Sequence, residues 1–298
     1  MTTTAIFVLG MHRSGTSATA ATLGLLGANL GGHLIPGRED NKKGFFEDGR
    51  CVNTNIKLLR CFGTDGHGGV ALPGNWRDLS ETQSFFPKMQ AILADLGTQP
   101  IYAIKDPRLS LVAEMWFDAA MSLGHEVKVV IAGRHPLQVA QSLERRDNVT
   151  RYRAYLTWLL YTVRAVQCAR DFSRTYIAFE DLQTAVDACI VRMVELVGRP
   201  DIFFVDDERR AKINEFLDPS MINNRETTDN QFANLSKELS ALYAAMSTGD
   251  EAYFNQCLQR GALRMFMEMT AAYRGFLASQ VAHRNLVDFS SADQSDEG

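Results

Sequence analysis

The stretch that decides the fold is Ala5-Ile-Phe-Val-Leu9-Gly10-Met-His-Arg-Ser-Gly15-Thr-Ser17, followed by a run rich in Ala, Leu and Thr that ends at Leu26. A short apolar segment that closes on a glycine reads as a buried parallel strand opening a βα unit. The polar turn and a helix over 17–26 complete that unit, and Gly27, Gly31 and Gly32 break the helix. At such a junction backbone N–H groups and the positive helix end converge on an anion, so residues 10–17 read as a phosphate cradle. The spacing from Gly10 to Gly15 is that of a GxxxxG phosphate loop, but Thr16 stands where a nucleotide triphosphatase carries the lysine that reaches the β- and γ-phosphates. Another cation, Arg13, lies inside the loop two residues before Gly15, placed to reach a terminal anionic group.

Working outward, 101–104, 127–132 and 175–179 are further strand candidates, each followed by turn residues and helical pattern. Helices are predicted at about 46–60, 80–96, 109–122, 136–146, 151–171 and 181–197. This alternation predicts an α/β fold of the P-loop-NTPase-like kind, three layers with a central parallel sheet flanked by helices. One domain over 1–290 is expected, with a largely helical part at about 226–280 and a flexible acidic tail at 291–298. The Met and aromatic stripe of that late part, from Leu239 to Met267, reads as core. Residues 63–76 hold five glycines and one proline and read as a loop that covers a site or lines a cleft.

Composition narrows the function classes. Of the 298 residues 46% are hydrophobic and 22% charged, enough for a continuous core. With 31 Lys and Arg against 35 Asp and Glu, the net charge of -4 removes bulk attraction to nucleic acid, which is not expected as a partner. Five scattered cysteines without a CxxC pair signal neither a disulfide framework nor a zinc knuckle. No apolar run of about 18 residues suggests an integral membrane segment, and the amino terminus lacks a secretory pattern. A cytoplasmic protein is expected, and the sequons at Asn148 and Asn234 then read as chance matches.

Two other strand ends carry chemistry. Lys105-Asp106-Pro107-Arg108 delivers a cation and a carboxylate to the carboxyl edge of the sheet, where ligands of open α/β sheets gather. Taken alone, Lys105 reads as a solvated strand-end lysine, and Asp106 either as a magnesium ligand or as a turn and helix cap. Gly133-Arg134-His135-Pro136 leads into a helix carrying Ser142, eight residues beyond the arginine. Glu47, in Gly44-Phe-Phe-Glu47-Asp48, reads by itself as a carboxylate favoured by a helix dipole.

The loop with Arg before Ser-Gly-Thr, the Lys-Asp-Pro element and the R-x-P-x-x-x-x-x-S element together resemble the PAPS-dependent sulfotransferases, in particular their bacterial and carbohydrate branch. The resemblance implies that Arg13, Ser14, Gly15, Thr16 and Ser17 hold the 5′-phosphosulfate of 3′-phosphoadenylyl sulfate (PAPS), and that Arg134 and Ser142 hold its 3′-phosphate. It also implies that Lys105 stabilises the bridging oxygen as the sulfuryl group departs. Glu47, followed eight residues later by Asn55, is placed as the base by a weaker correspondence. Metal-free transfer to a hydroxyl is implied, on a carbohydrate or glycolipid. The 176–182 segment is similar to a Tyr-Glu-Asp-Leu junction of architectural role, with Phe179 where tyrosine is usual and Glu180 and Asp181 suited to capping a helix. Asp218-Pro219-Ser220 to Arg225 resembles a late family segment, and His12 departs from the usual loop residues. A P-loop kinase or NTPase and a non-catalytic nucleotide-binding protein are the alternatives, the first opposed by Thr16 in place of lysine.

Overall fold

In the computed structural model, residues 2–37, 43–67, 72–217, 229–261, 263, 264 and 268 are described. Four strands, β1 (Thr4–Leu9), β2 (Ile101–Lys105), β3 (Glu126–Gly133) and β4 (Ser173–Ala178), form one sheet in the order β2-β1-β3-β4. Every pairing is parallel, with Phe7 opposite Ile104 on one side and Val129 on the other. Parallel strands are buried on both faces, and the period of two then divides their side chains between two cores. Phe7, Leu9, Ile104 and Ile131 enter one; Ile6, Val8, Ala103 and Val130 enter the other.

The helices run as α1 (Thr16–Leu26), α2 (Gly49–Arg60), α3 (Ser80–Gln83), α4 (Phe86–Leu96), α5 (Leu109–Ser122) and α6 (Pro136–Asp147). They continue as α7 (Arg151–Cys168), α8 (Asp181–Thr184), α9 (Val186–Val197), α10 (Asp207–Phe216), α11 (Ala233–Thr248) and α12 (Glu251–Leu258). α1, α9 and α10 cover one face, while α2, α4, α5, α7 and α11 cover the other. The expected three-layer α/β architecture is the one observed.

Boundaries differ where local chemistry intervenes. The helix expected from 46 begins at Gly49, because the Asp48 carboxylate caps it by accepting from the Arg50 N–H. The 80–96 prediction breaks between Gln83 and Phe86, with Pro87 in the first turn of the second helix. The 181–197 prediction divides at Ala185. α10 lacks an apolar stripe, which hid it from periodicity; an Asp206 cap on the Arg209 N–H starts it. Asp218 to Ser220, Arg225, Phe266, Met267 and the 291–298 tail lie outside the described residues.

β1 has β2 on one side and β3 on the other, so the strand order reverses there. The carboxyl ends of β1 and β3 flank a topological switch point, the usual binding crevice of such sheets. The loop containing Arg13 leaves β1 and Arg134 follows β3.

Candidate active site

Two glycines shape the loop. Gly10 has φ +135°, and a Cβ there would lie 2.2 Å from the Ala132 carbonyl of β3; its N–H donates to Ser110 Oγ of α5 at 2.8 Å. Gly15 has φ +86°, and its Cβ would meet Cδ2 of Phe179 at 2.7 Å. Only glycine adopts these angles without strain while leaving room for such neighbours. Arg13 also has a positive φ, 67°, a conformation that costs a non-glycine residue free energy and is retained mainly where a loop is shaped for a ligand. α1 starts at Thr16 with no side-chain cap and no acid in its first turn. Its positive end therefore faces the loop, the arrangement that favours an anion. Ser14 and Thr16 are buried.

At the end of β2 the Lys105 side chain is 3% exposed. Its ammonium donates to Glu47 Oε1 at 2.5 Å, to the Phe45 carbonyl at 3.0 Å and to Ser17 Oγ at 3.1 Å. An ammonium has three protons, so all three are engaged. Burial raises the Glu47 pKa, opposed by the Lys105 charge, and burial lowers that of Lys105, opposed by Glu47. Both shifts bring the pair towards sharing a proton. The solvated reading of Lys105 and the helix-dipole reading of Glu47 are thereby displaced: the lysine is buried, and Asp48 is the cap.

Asp106 is fully buried and accepts from Asn55 Nδ2 (2.9 Å), the Arg108 N–H (3.1 Å) and Arg108 Nη1 (3.1 Å). Asn55 Oδ1 in turn accepts from Trp116 Nε1 at 2.8 Å. Asp106 and Asn55 thus fasten α2 and α5 beneath the loop; Asp106 forms the turn expected of it through the Arg108 N–H, while α5 itself carries no side-chain cap.

The second anion element is assembled differently from a direct arginine and serine pair. Arg13 Nε donates to Ser142 Oγ at 2.9 Å, joining the loop to α6. Arg134, 7% exposed, donates from Nε to Gln138 Oε1 at 3.1 Å, and its guanidinium lies 4.5 Å from the Phe179 ring centre. Burial, with the Arg13 charge adding to it and Glu180 opposing, brings Arg134 down to about 10. Arg13 with Ser142, and Ser17 with Lys105 and Glu47, are therefore joined to one loop, and Arg134 lies near enough for the Arg13 charge to act on it. His135 is a packing residue, with Nε2 3.0 Å from Ser240 Oγ.

Several neighbours had no assigned part in the sequence reading. Gln138 lies in the first turn of α6, just past the turn that carries Arg134, and no periodic pattern in the sequence marks the contact. Glu180 does not cap α8; its carboxylate accepts from the Tyr243 hydroxyl and, at 3.3 Å, from the His135 N–H. Asp181 pairs instead with Arg192 at 2.9 Å. The beginning of the glycine-rich loop docks through Gly66, whose carbonyl accepts from Tyr161 at 2.7 Å, and Asp65, whose carbonyl accepts from Arg108 at 2.9 Å. This sets His67 against His12 with ring centres 4.8 Å apart. Burial, then the nearby cations, holds His12 well below the usual histidine range, so it is neutral at pH 7. No sequence pattern marks that contact.

A cavity of about 570 Å³ lies at the opposite, amino end of the sheet, between Gly24, Asn29, Gln99 and Ile202. Among the described residues, no group of His, Cys, Asp and Glu could hold a metal ion, and no helix is long and apolar enough to cross a membrane.

No protein-family profile matches the chain, and neither does any curated protein. Among solved structures it is similar to the sulfotransferase domain from the Synechococcus PCC 7002 olefin synthase, with 16% identity, 82% of this chain and 95% of that chain covered, and a TM-score of 0.48. It is also similar to the sulfotransferase STF1 from Mycobacterium tuberculosis H37Rv, with 14% identity, 81% of this chain and 77% of that one covered, and a TM-score of 0.42.

Proposed function

We propose that the chain is a PAPS-dependent sulfotransferase. The observation that carries this reading is the linkage at the switch point: a phosphate loop that holds Arg13 where triphosphatases rely on a lysine after the second glycine, joined through Ser17 to the buried Lys105 and Glu47 pair. Arg134 lies close enough for the Arg13 charge to act on it. Two anion positions at adjacent strand ends suit a nucleotide phosphorylated at both 5′ and 3′ positions.

In this reading residues 13–17 hold the 5′-phosphosulfate, and Arg134 and Ser142 hold the 3′-phosphate. An acceptor hydroxyl attacks sulfur in line; the new O–S bond forms as the bridging S–O bond breaks, and 3′-phosphoadenosine 5′-phosphate (PAP) leaves. Glu47 takes the hydroxyl proton, to which its raised pKa is suited. Lys105 exchanges one of its three acceptors for the bridging oxygen and stabilises the charge that develops there, with Arg13 acting from the loop side. A metal ion has no step in this scheme. The acceptor class follows the resemblance, a carbohydrate or glycolipid hydroxyl.

A kinase reading needs Asp106 as a magnesium ligand, but Asp106 is fully buried and paired with the Arg108 cation, whose charge opposes a metal ion there. Incubation with ³⁵S-labelled PAPS and a cell extract tests the proposal. Label is expected to pass to an extract component with the wild-type protein and not with Lys105→Ala. Absence of transfer together with tighter binding of ATP and magnesium than of PAP would overturn it.

A further inference from the structure

Arg134, buried after β3, is held by more than its own backbone. Its carbonyl is anchored by Trp158 Nε1 at 3.1 Å, and Gln138 holds its Nε from one side. The guanidinium carbon lies over the Phe179 ring, 4.5 Å from its centre. That ring is itself fixed from below: the Phe179 N–H donates to the Gly133 carbonyl at 2.7 Å, the residue just before Arg134. On its other edge the ring fills the space that a side chain at position 15 would need. Phe179 therefore touches the phosphate loop and Arg134 at once. Next to it, Glu180 is tied to Tyr243 of α11 and to the His135 N–H, so the end of β4 has little freedom to withdraw.

We propose that Phe179 is a positioning residue that pre-orients Arg134 for the 3′-phosphate and sets its spacing from the phosphate loop, so that it determines selectivity for nucleotides carrying both phosphates. The inference rests on the donor reading given above. A cation over an aromatic face is attracted by the ring quadrupole, more strongly in a desolvated setting such as this one. A guanidinium that is already immobilised loses less side-chain freedom when an anion binds.

Titration calorimetry with PAP and with adenosine 5′-monophosphate, which lacks the 3′-phosphate, tests this on the whole chain. The wild type is expected to bind PAP more tightly. Phe179→Leu is expected to lose about tenfold in PAP affinity, equivalent to ~1.4 kcal/mol, with monophosphate affinity nearly unchanged, and Phe179→Tyr to restore the preference. Phe179→Met serves as a second ringless variant if the leucine protein does not fold. An unchanged ratio of the two affinities in the ringless variants, or an equal loss for both nucleotides, would overturn the positioning role. A wild type without preference for PAP would overturn the donor reading and this role with it.

Discussion

Replacing Glu47 with glutamine separates the chemical role of this carboxylate from its structural one. Glutamine keeps an oxygen where Lys105 Nζ now donates at 2.5 Å, so the three acceptors of the ammonium remain but their negative charge is lost. Removing one partner of a buried ion pair costs about 3–5 kcal/mol. Two features reduce this: a neutral hydrogen bond still contributes ~1 kcal/mol, and burial already lowers the Lys105 pKa, so the lysine can shed its proton. A net destabilisation of about 1–2 kcal/mol follows, a fall of about 2–6 °C in melting temperature. Loss of a general base removes roughly 10²–10⁴-fold in rate. PAP affinity should fall much less than turnover, since residues 13–17, Arg134 and Ser142 are unaltered and only the Lys105 charge is affected. PAP release from PAPS, followed with an extract acceptor fraction, gives the rate; calorimetry and thermal unfolding give the rest. Turnover within about threefold of wild type would refute the base assignment, and a PAP affinity falling in step with turnover would assign Glu47 to donor binding instead.

The pH dependence carries the same logic: Glu47 acts deprotonated and burial raises its pKa, so kcat should fall as pH drops through a limb above the ordinary glutamate value of about 4.3. That limb should be absent from the kcat–pH profile of Glu47→Gln. Gly15→Ala forces a side chain into φ +86° and to within 2.7 Å of Phe179, so PAP affinity should drop at least about tenfold with a stability loss of ~1–3 kcal/mol; calorimetry and denaturant unfolding check both. Asn55→Ala strands buried partners on Asp106 and Trp116 and should cost about 2–4 kcal/mol in urea unfolding, with PAP affinity of the folded protein retained.

Much of the architecture is legible locally. The apolar run into Gly10 and the Arg134 to Pro136 turn need only short-range patterns, and the sheet follows from alternation with helices. The four strands differ from their expected limits by at most two residues at either end. What pattern does not carry is contact across the sheet. Lys105 and Glu47 are 58 residues apart, and their pairing depends on a strap in which Phe46 takes a positive φ of 54°, a conformation no propensity predicts. The Arg13 contact with Ser142 spans 129 residues. Phe179 reads as architectural because its two neighbours, Gly15 and Arg134, come from other strand ends. α10 escaped because its charged surface hides the single buried Ile213 that docks it.

The most direct test is a crystal structure of the chain with PAP. The 5′-phosphate should sit on the backbone of residues 13–17 with Lys105 beside it, and the 3′-phosphate between the Arg134 guanidinium and Ser142. A nucleotide seated in the cavity at the amino end of the sheet, or Arg13, Lys105 and Arg134 directed away from the phosphates, would contradict the account.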